Sequence, residues 1–154
     1  MTIEEGKLAP AFTLKDANGE KVALKDFRGK NVIVYFYPRD NTSGCTKEAE
    51  GFRDLWKEFK KSDTVIIGIS PDSEASHQKF AAKYKLPFIL LSDPDKKVMT
   101  KYGAFGEKTM YGKKVQGVIR STVWVDPKGK VRKHWRKVPK AADHPAKVCE
   151  ALGS

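Results

Sequence analysis

A cysteine at a strand-to-helix junction is the residue in this sequence best placed for chemistry. Residues 31–37 form a continuous apolar run that predicts a buried strand, and residues 39–44 are typical of a turn. Beyond Cys45 the apolar residues recur with a helical period, which puts Cys45 in the first helical turn. Unpaired first-turn N–H groups favour an anion, and the thiolate is the nucleophilic form of cysteine. The alternative is that Cys45 is a small buried residue without chemistry.

Four further residues could serve such a thiolate. Pro38 ends the strand, because it cannot donate to a ladder, and would form a rigid wall beside the cysteine. Thr42 can offer a hydroxyl to an incoming oxygen, and the N–H groups of Gly44 and Cys45 can form an anion pocket. Arg120 lies in an otherwise apolar predicted strand, where a buried guanidinium needs an anionic partner such as a thiolate. An Arg120 side chain that points to solvent is equally expected from the spacing.

The elements that must position these residues are predicted from apolar runs and turn signals. An Asn-Gly turn between residues 11–14 and 22–24 predicts an N-terminal β-hairpin. Strands are then predicted at 64–70, 88–91 and 118–126 with a partner at 131–135, and helices at 45–61, 73–85, from Asp93 to about Tyr102, and at the C-terminus. The glycine-punctuated segment 103–117 is predicted to be a loop. Asp143 or His144 is expected to cap the last helix, with Pro145 in its first turn.

This order predicts an α/β protein with a thioredoxin-like fold, in which a mixed central sheet is flanked by helices and preceded by the hairpin. A chain of 154 residues fits a single domain, 1–154. No apolar run approaches the ~20 residues of a membrane span, and the N-terminus lacks the apolar segment of a signal peptide. We therefore expect no membrane association and a reducing, cytoplasmic location, with a processed organellar form as the alternative.

The charge of the chain raises a different class of function. The formal net charge is +11, and residues 128–140 contain seven Lys or Arg and no acidic residue. This segment could be a basic binding module for nucleic acid or an acidic membrane. It could also be the solvated face of a hairpin in which Val131, His134 or Trp135 packs. We favour the hairpin face and expect no dedicated nucleic-acid site.

Other cysteine and metal chemistries find little support in the sequence. A Cys-His hydrolase needs a histidine base, but His77, His134 and His144 fall outside the segments predicted to abut Cys45 and are expected at the surface. A dithiol oxidoreductase would have a Cys-x-x-Cys motif, which is absent. Two distant cysteines and three scattered histidines do not predict a metal site.

Two distant segments carry a resemblance to a known family. They are YPRDNTSGCTKEAEGF at 37–52 and GEKTMYGKKVQGVIRSTVWVD at 106–126, and the N-terminal GKLAPAFTL and LKDFRGKNVIVYFYP also match. On these residues the chain resembles a peroxiredoxin, and within that family the bacterioferritin comigratory protein, or peroxiredoxin Q, subfamily. The resemblance covers essentially the whole chain.

The resemblance implies a peroxidase that works without a cofactor. Cys45 would be the peroxidatic cysteine, which attacks hydrogen peroxide or an organic hydroperoxide and becomes a sulfenic acid. Pro38 would shield Cys45, while Thr42 and Arg120 would activate it and polarise the peroxide. Glu48 matches a glutamate of the subfamily that holds the arginine or shapes the pocket. The alternative for Glu48 is a favourable charge in the first helical turn.

The sequence departs from the subfamily in two places that bear on function. Ser43 stands where proline is usual, which should loosen the turn only modestly. The position of one common resolving cysteine is occupied by Glu50, and the predicted helix at 73–85 contains no other. We therefore expect a one-cysteine enzyme, reduced by an external thiol such as thioredoxin, glutaredoxin or glutathione. Cys149 is either a structural residue or an alternative resolving thiol. A monomer is expected, with a dimer as the alternative.

Overall fold

The computed structural model of the chain describes residues 3–153, apart from the side chain of residue 110. Its strands are β1 (Thr13–Asp16), β2 (Lys21–Ala23), β3 (Asn31–Phe36), β4 (Thr64–Ser70), β5 (Ile89–Ser92), β6 (Phe105–Met110), β7 (Lys113–Val118), β8 (Ser121–Val125) and β9 (Val131–Trp135). Its helices are α1 (Ser43–Asp54), α2 (Trp56–Lys61), α3 (Glu74–Tyr84), α4 (Lys97–Lys101) and α5 (His144–Gly153), with a short 3-10 turn at Leu24–Phe27.

Seven of these strands form one mixed sheet in the order β2-β1-β5-β4-β3-β8-β9. Strand β3 lies inside the sheet, parallel to β4 and antiparallel to β8. The predicted hairpin of β1 and β2 joins the sheet through antiparallel pairing of β1 with β5. This arrangement confirms the predicted mixed sheet, and it explains why β3 reads as a continuous apolar run.

Each face of the sheet has its own hydrophobic core, because successive side chains of a strand point to opposite faces. Val34 and Phe36 of β3 join the core that includes α4. Ile33 and Tyr35 join the core that includes α1, α2, α3 and α5. Cys45 belongs to this second core, so the candidate site lies on the face that carries most of the helices.

The segment predicted as a loop at 103–117 is in fact a separate two-stranded hairpin, β6 and β7. Its turn places Tyr111 and Gly112 at φ 52° and 79°, the two positive values that a type I′ turn requires. The ribbon stands apart from the main sheet and is largely exposed, so it lacks the apolar alternation by which a strand is recognised.

The boundaries of two other predicted elements were also wrong. The helix predicted over 45–61 begins earlier, at Ser43, and breaks at Leu55, where ψ moves to 8° and separates α1 from α2. The strand predicted over 118–126 is divided between the end of β7 and β8, so Arg120 lies in the connection between two strands. Such a connection lets the side chain leave the plane of the sheet and turn towards α1.

Two of the three histidines are buried, contrary to the expectation that they lie at the surface. The side chain of His77 is fully buried, and both of its ring nitrogens have oxygen partners. His144 is the first residue of α5, and its Nε2 lies 2.8 Å from Thr122 Oγ1. The spacing of residues in the sequence does not show whether a histidine is buried with its ring nitrogens hydrogen-bonded. Between residues 3 and 153, no helix is long and apolar enough to cross a bilayer.

Candidate active site

The first turn of α1 carries Cys45. Thr42 occupies the N-cap position with extended backbone angles, and its carbonyl accepts the N–H of Thr46 at 2.8 Å. Cys45 follows within the first turn and is 1% exposed. Its sulfur is therefore close to the positive end of the helix dipole, where an anion is stabilised.

A guanidinium reaches this sulfur from the other side of the site. Nη2 of Arg120 donates to Cys45 Sγ at 3.1 Å, and Nη1 donates to Glu48 Oε1 at 2.7 Å. Burial works against the charge of Arg120, but Glu48 and Cys45 outweigh it and raise the pKa of Arg120 above its ordinary value. The fork of one arginine thus joins the thiol and the carboxylate, in a geometry that favours the thiolate.

Glu48 is fully buried one turn after the cysteine. Burial raises the pKa of Glu48 to about 7, although the charge and hydrogen bond of Arg120 act in the opposite direction. Its Oε2 has no hydrogen-bond partner among the residues that the structure describes. Desolvation of this deeply buried carboxyl is the larger effect, although the short ion pair favours the ionised form.

A tyrosine lies beneath the same three groups. The ring of Tyr35 stacks on Phe52 with centroids 4.7 Å apart, and its hydroxyl is buried without a partner in the described part of the chain. Burial raises the pKa of Tyr35 well above its usual value, and the charges of Glu48 and Cys45 raise it further. Tyr35 therefore remains a neutral phenol and provides an apolar floor to the site.

Gly44 has a steric function that the sequence did not suggest. A Cβ at this position would lie 3.3 Å from Nη2 of Arg120, which is tighter than ordinary van der Waals contact. Glycine therefore leaves room for the guanidinium to approach Cys45. Thr42 donates its hydroxyl to the carbonyl of Arg39 at 2.9 Å, so this proton is used within the turn.

Pro38 and Arg120 meet at a cleft of about 440 Å³ that opens to solvent. The remaining lining residues come from the β6–β7 hairpin with the connection that follows it, and from the segment after β9; they are Glu107, Lys108, Thr109, Val118, Ile119, Lys137, Val138 and Pro139. Sequence reasoning missed this outer wall. Ile119 could have been found from the sequence, because it is next to Arg120. Val138 could not, because it reaches the cleft through a backbone hydrogen bond from its N–H to Arg120 O, at 3.0 Å, which leaves no mark in the sequence.

The second cysteine lies away from this cleft. Helix α5 runs beside α1, since Ala141, just before α5, lies near Gly44 and Pro145 contacts Gly51. Cys149, one turn further, is half-buried, and both burial and Glu58 of α2 raise the pKa of its thiol. Both thiols are free in the structure. Cys45 lies in the first turn of α1, whereas Cys149 lies near Glu58 of α2.

Comparisons with known proteins agree with this fold. The AhpC/TSA family profile matches residues 6–134. Peroxiredoxin Bcp of Bacillus subtilis is 46% identical over 99% of this chain and 96% of its own length. A structure of the bacterioferritin comigratory protein of Xanthomonas campestris matches with a TM-score of 0.89 and 38% identity, over 97% of this chain and 98% of that one. Peroxiredoxin Q of Xanthomonas campestris matches with a TM-score of 0.86 and 41% identity, over 92% and 89% of the two chains.

The fold and these relatives define a peroxiredoxin, a thiol-dependent peroxidase on a thioredoxin-like scaffold. Within that class the chain belongs to the AhpC/TSA family and to its Bcp, or peroxiredoxin Q, group. The predicted family, fold class and peroxidase activity are thereby confirmed. A peroxide is the substrate, and a thiol is the reductant.

Proposed function

We propose that Cys45 is the peroxidatic residue and that the chain reduces hydrogen peroxide and organic hydroperoxides through a sulfenic acid at this position. The observation that carries the proposal is the single guanidinium shared by Cys45 Sγ and Glu48 Oε1. Arg120 favours the thiolate before the reaction and supplies positive charge where the departing oxygen becomes negative.

The proposed chemical step joins sulfur to one peroxide oxygen. The Cys45 thiolate attacks that oxygen, an S–O bond forms, and the O–O bond breaks. The second oxygen leaves with the electron pair as hydroxide or alkoxide and takes up a proton to become water or an alcohol. Arg120 and the first-turn N–H groups of Gly44 and Cys45 stabilise the leaving oxygen. The hydroxyl oxygen of Thr42, whose proton is used within the turn, orients the peroxide by accepting its proton, and Pro38 shields the thiolate from bulk water.

We propose a one-cysteine cycle for the return to the thiol. An external thiol attacks the sulfur of the Cys45 sulfenic acid, which releases water and leaves a mixed disulfide. A second thiol then regenerates Cys45 and leaves with the first as a disulfide. Position 50 is Glu50, α3 contains no cysteine, and Cys149 lies near α2. Thioredoxin, glutaredoxin and glutathione are the candidate reductants. Resolution by Cys149 is the alternative, and it requires the first turn of α1 to unwind and α5 to move.

Further proposals concern the domain organisation, oligomeric state, location and ligands of the protein. We propose one domain, a monomer with a dimer as the alternative, and a cytoplasmic location where reduced thiols are available. We propose no dedicated nucleic-acid site and no resident metal or other cofactor.

Peroxide consumption by two cysteine variants tests this function. Cys45→Ser should abolish turnover of hydrogen peroxide with a thioredoxin, glutaredoxin or glutathione system. Cys149→Ser is the matched control and should keep turnover within about 2-fold, because the proposed one-cysteine cycle does not use this thiol. Turnover that survives Cys45→Ser contradicts the assignment, and turnover lost in both variants favours the two-cysteine alternative.

A further inference from the structure

The turn that leads into α1 is held by a buried carboxylate that the proposed chemistry does not use. Asp40 is 7% exposed, and its Oδ1 accepts the hydroxyl of Tyr37 at 2.6 Å. Its Oδ2 accepts Ser76 Oγ at 2.8 Å and lies 2.7 Å from Nδ1 of His77. Its backbone N–H donates to Asp72 Oδ2 at 2.8 Å. The turn is therefore tied to β3, to α3 and to the segment after β4.

The hydrogen bonds of His77 fix where its protons lie. Nε2 is 2.9 Å from the carbonyl oxygen of Leu91, and a carbonyl can only accept, so Nε2 carries a proton. Nδ1 faces Asp40 Oδ2, which already accepts the hydroxyl of Ser76. A bare Nδ1 facing an ionised carboxylate would set two lone pairs against each other at 2.7 Å, so one proton lies between Nδ1 and Oδ2. With this proton on Nδ1, both ring nitrogens donate and the carboxylate only accepts.

Further polar and charged groups are packed around this pair. Asp72 comes from the segment after β4, and its Oδ2 accepts Ser70 Oγ as well as the backbone of Asp40. Strand β5 contributes the carbonyl of Leu91, β3 and its end contribute the phenol of Tyr37, and Lys79 of α3 lines the small cleft beside Asp40. Every polar side-chain atom of the pair thus has a hydrogen-bond partner.

Helix α3 also holds the next residue of the turn. Asn41 has a positive φ of 60°, and its Oδ1 accepts the ammonium of Lys83 at 3.3 Å and the hydroxyl of Tyr84 at 3.0 Å. Consecutive residues of the turn are therefore bound by one helix. Thr42, which follows, supplies the carbonyl that starts α1.

We propose that Asp40 and His77 form a buried, proton-holding ion pair that positions the turn from Pro38 to Thr42 for the reaction of Cys45 with peroxide. Both are positioning residues, because they act through the turn and do not touch Cys45. A buried ion pair gives uncertain net stability, but the loss of one partner leaves a charge unpaired. The expected consequence is a displaced turn rather than a changed thiol. This inference rests on the proposed role of Cys45.

The protonation of His77 is tested directly on the unmodified protein. A ¹⁵N-detected histidine NMR spectrum of the reduced chain at pH 7.5 should show protons on both ring nitrogens of His77. His144 is the internal control, since burial and the charges of Lys147 and Arg120 lower its pKa to about 4, which leaves one nitrogen bare. A His77 spectrum with one bare nitrogen overturns the proposal.

The positioning role is tested by comparing two reactions of Cys45 in variants of the pair. Asp40→Asn and His77→Gln should slow the reaction with hydrogen peroxide about 10-fold or more, because a misplacement of about 1 Å can cost ~100-fold. Alkylation by iodoacetamide needs a thiolate but no peroxide geometry, so its rate should be unchanged or higher. Ser76→Ala is the matched control, since it removes one hydrogen bond to Asp40 Oδ2 and leaves the ion pair.

A double variant tests whether Asp40 and His77 act as a unit, and the reaction of wild-type Cys45 with peroxide is the control for the proposed function. Asp40→Asn combined with His77→Gln should lose no more peroxide reactivity than either single variant, because the two residues act as a unit. Parallel changes in both reactions, or a change in neither, overturn the positioning role. A wild-type Cys45 that fails to react with peroxide contradicts the proposed function instead, and leaves the NMR result on the ion pair standing.

Discussion

At the scale of single residues, the site depends on the fork of Arg120. One arm contacts Cys45 Sγ and the other contacts Glu48 Oε1, at 3.1 and 2.7 Å. A lysine carries the same charge but offers a single point donor, so it cannot hold both partners in this geometry. The absence of a side chain at Gly44 is part of the same arrangement, because the guanidinium occupies that space.

The first prediction concerns this fork. Arg120→Lys should lower the second-order rate constant for hydrogen peroxide by about 100-fold, the loss typical of removing one charge-stabilising donor. Stopped-flow fluorescence of the reduced protein measures this constant. Arg132→Lys is the matched control, since Arg132 is exposed and lies over the ring of Trp124. A constant for Arg120→Lys within 3-fold of wild type would contradict the assigned role.

The second prediction follows from the raised pKa of Glu48. Burial raises the pKa from 4.5 to about 7, so the folded state binds this proton more tightly than the unfolded state does. The corresponding stability is present below about pH 4.5 and is lost as the pH rises through 7. We compare two proteins that both carry Cys45→Ser, one with Glu48 and one with Glu48→Gln. Between pH 5 and pH 8, the free energy of unfolding should fall by about 1–3 kcal/mol less in the protein with Glu48→Gln.

Urea denaturation at the two pH values measures this difference. Glu50→Gln in the same background is the matched control, because Glu50 lies on the same helix but is only half-buried and faces Arg53. Equal pH dependence with glutamate and with glutamine at position 48 would contradict the raised pKa of Glu48.

At the scale of elements, α1 and α5 approach closely at Gly51. A Cβ at Gly51 would lie 2.7 Å from Cγ of Pro145, a distance at which one helix must shift. The first turn of α5 is thereby set against the middle of α1, which holds the helix that carries Cys45 in place.

The third prediction uses this contact. Gly51→Ala should destabilise the protein by about 1–3 kcal/mol through overpacking, although alanine has the better helix propensity by ~1 kcal/mol. The urea midpoint measures the change. Gly153→Ala is the control, since a Cβ at Gly153 in α5 meets no atom within 4 Å. A Gly51→Ala protein as stable as wild type would show that the helices separate without cost.

The sequence predicted the elements with a clear apolar period and failed where that period was absent. Strand β3 was found because both of its faces are buried, and Cys45 because turn residues precede a periodic helix. The β6–β7 hairpin was missed because its side chains are mostly exposed and lack an apolar alternation. The contact between Arg120 and Cys45 spans 75 residues, and its geometry depends on a connection that was read as a strand.

At the scale of the whole molecule, the basic segment 128–140 runs from the turn before β9, along β9, and into the chain after it. Its seven Lys and Arg residues are exposed, while Val131 is buried and Trp135 is half-buried. Lys133 lies 4.9 Å from the centroid of the Trp135 ring, so part of the aromatic surface is already covered. These contacts favour the solvated hairpin face over a dedicated nucleic-acid surface.

The fourth prediction separates these two functions. Binding to duplex DNA should weaken steeply between 50 and 200 mM salt and should not differ between unrelated sequences, as expected for contacts to phosphates alone. Fluorescence anisotropy with two duplexes of different sequence measures this, and Cys45→Ser should leave the curves unchanged. A strong preference for one sequence would contradict the assignment.

The measurement that tests the central claim most directly is a trapping experiment on the reduced protein. One equivalent of hydrogen peroxide is added in the presence of dimedone, followed by intact mass and peptide mapping without reductant. We predict a dimedone adduct on Cys45 and a reduced Cys149, because the proposed one-cysteine cycle leaves the second thiol unused. A bond between Cys45 and Cys149 within one chain would keep the peroxidase and contradict the one-cysteine cycle. An unmodified Cys45 would contradict the assignment of the active site.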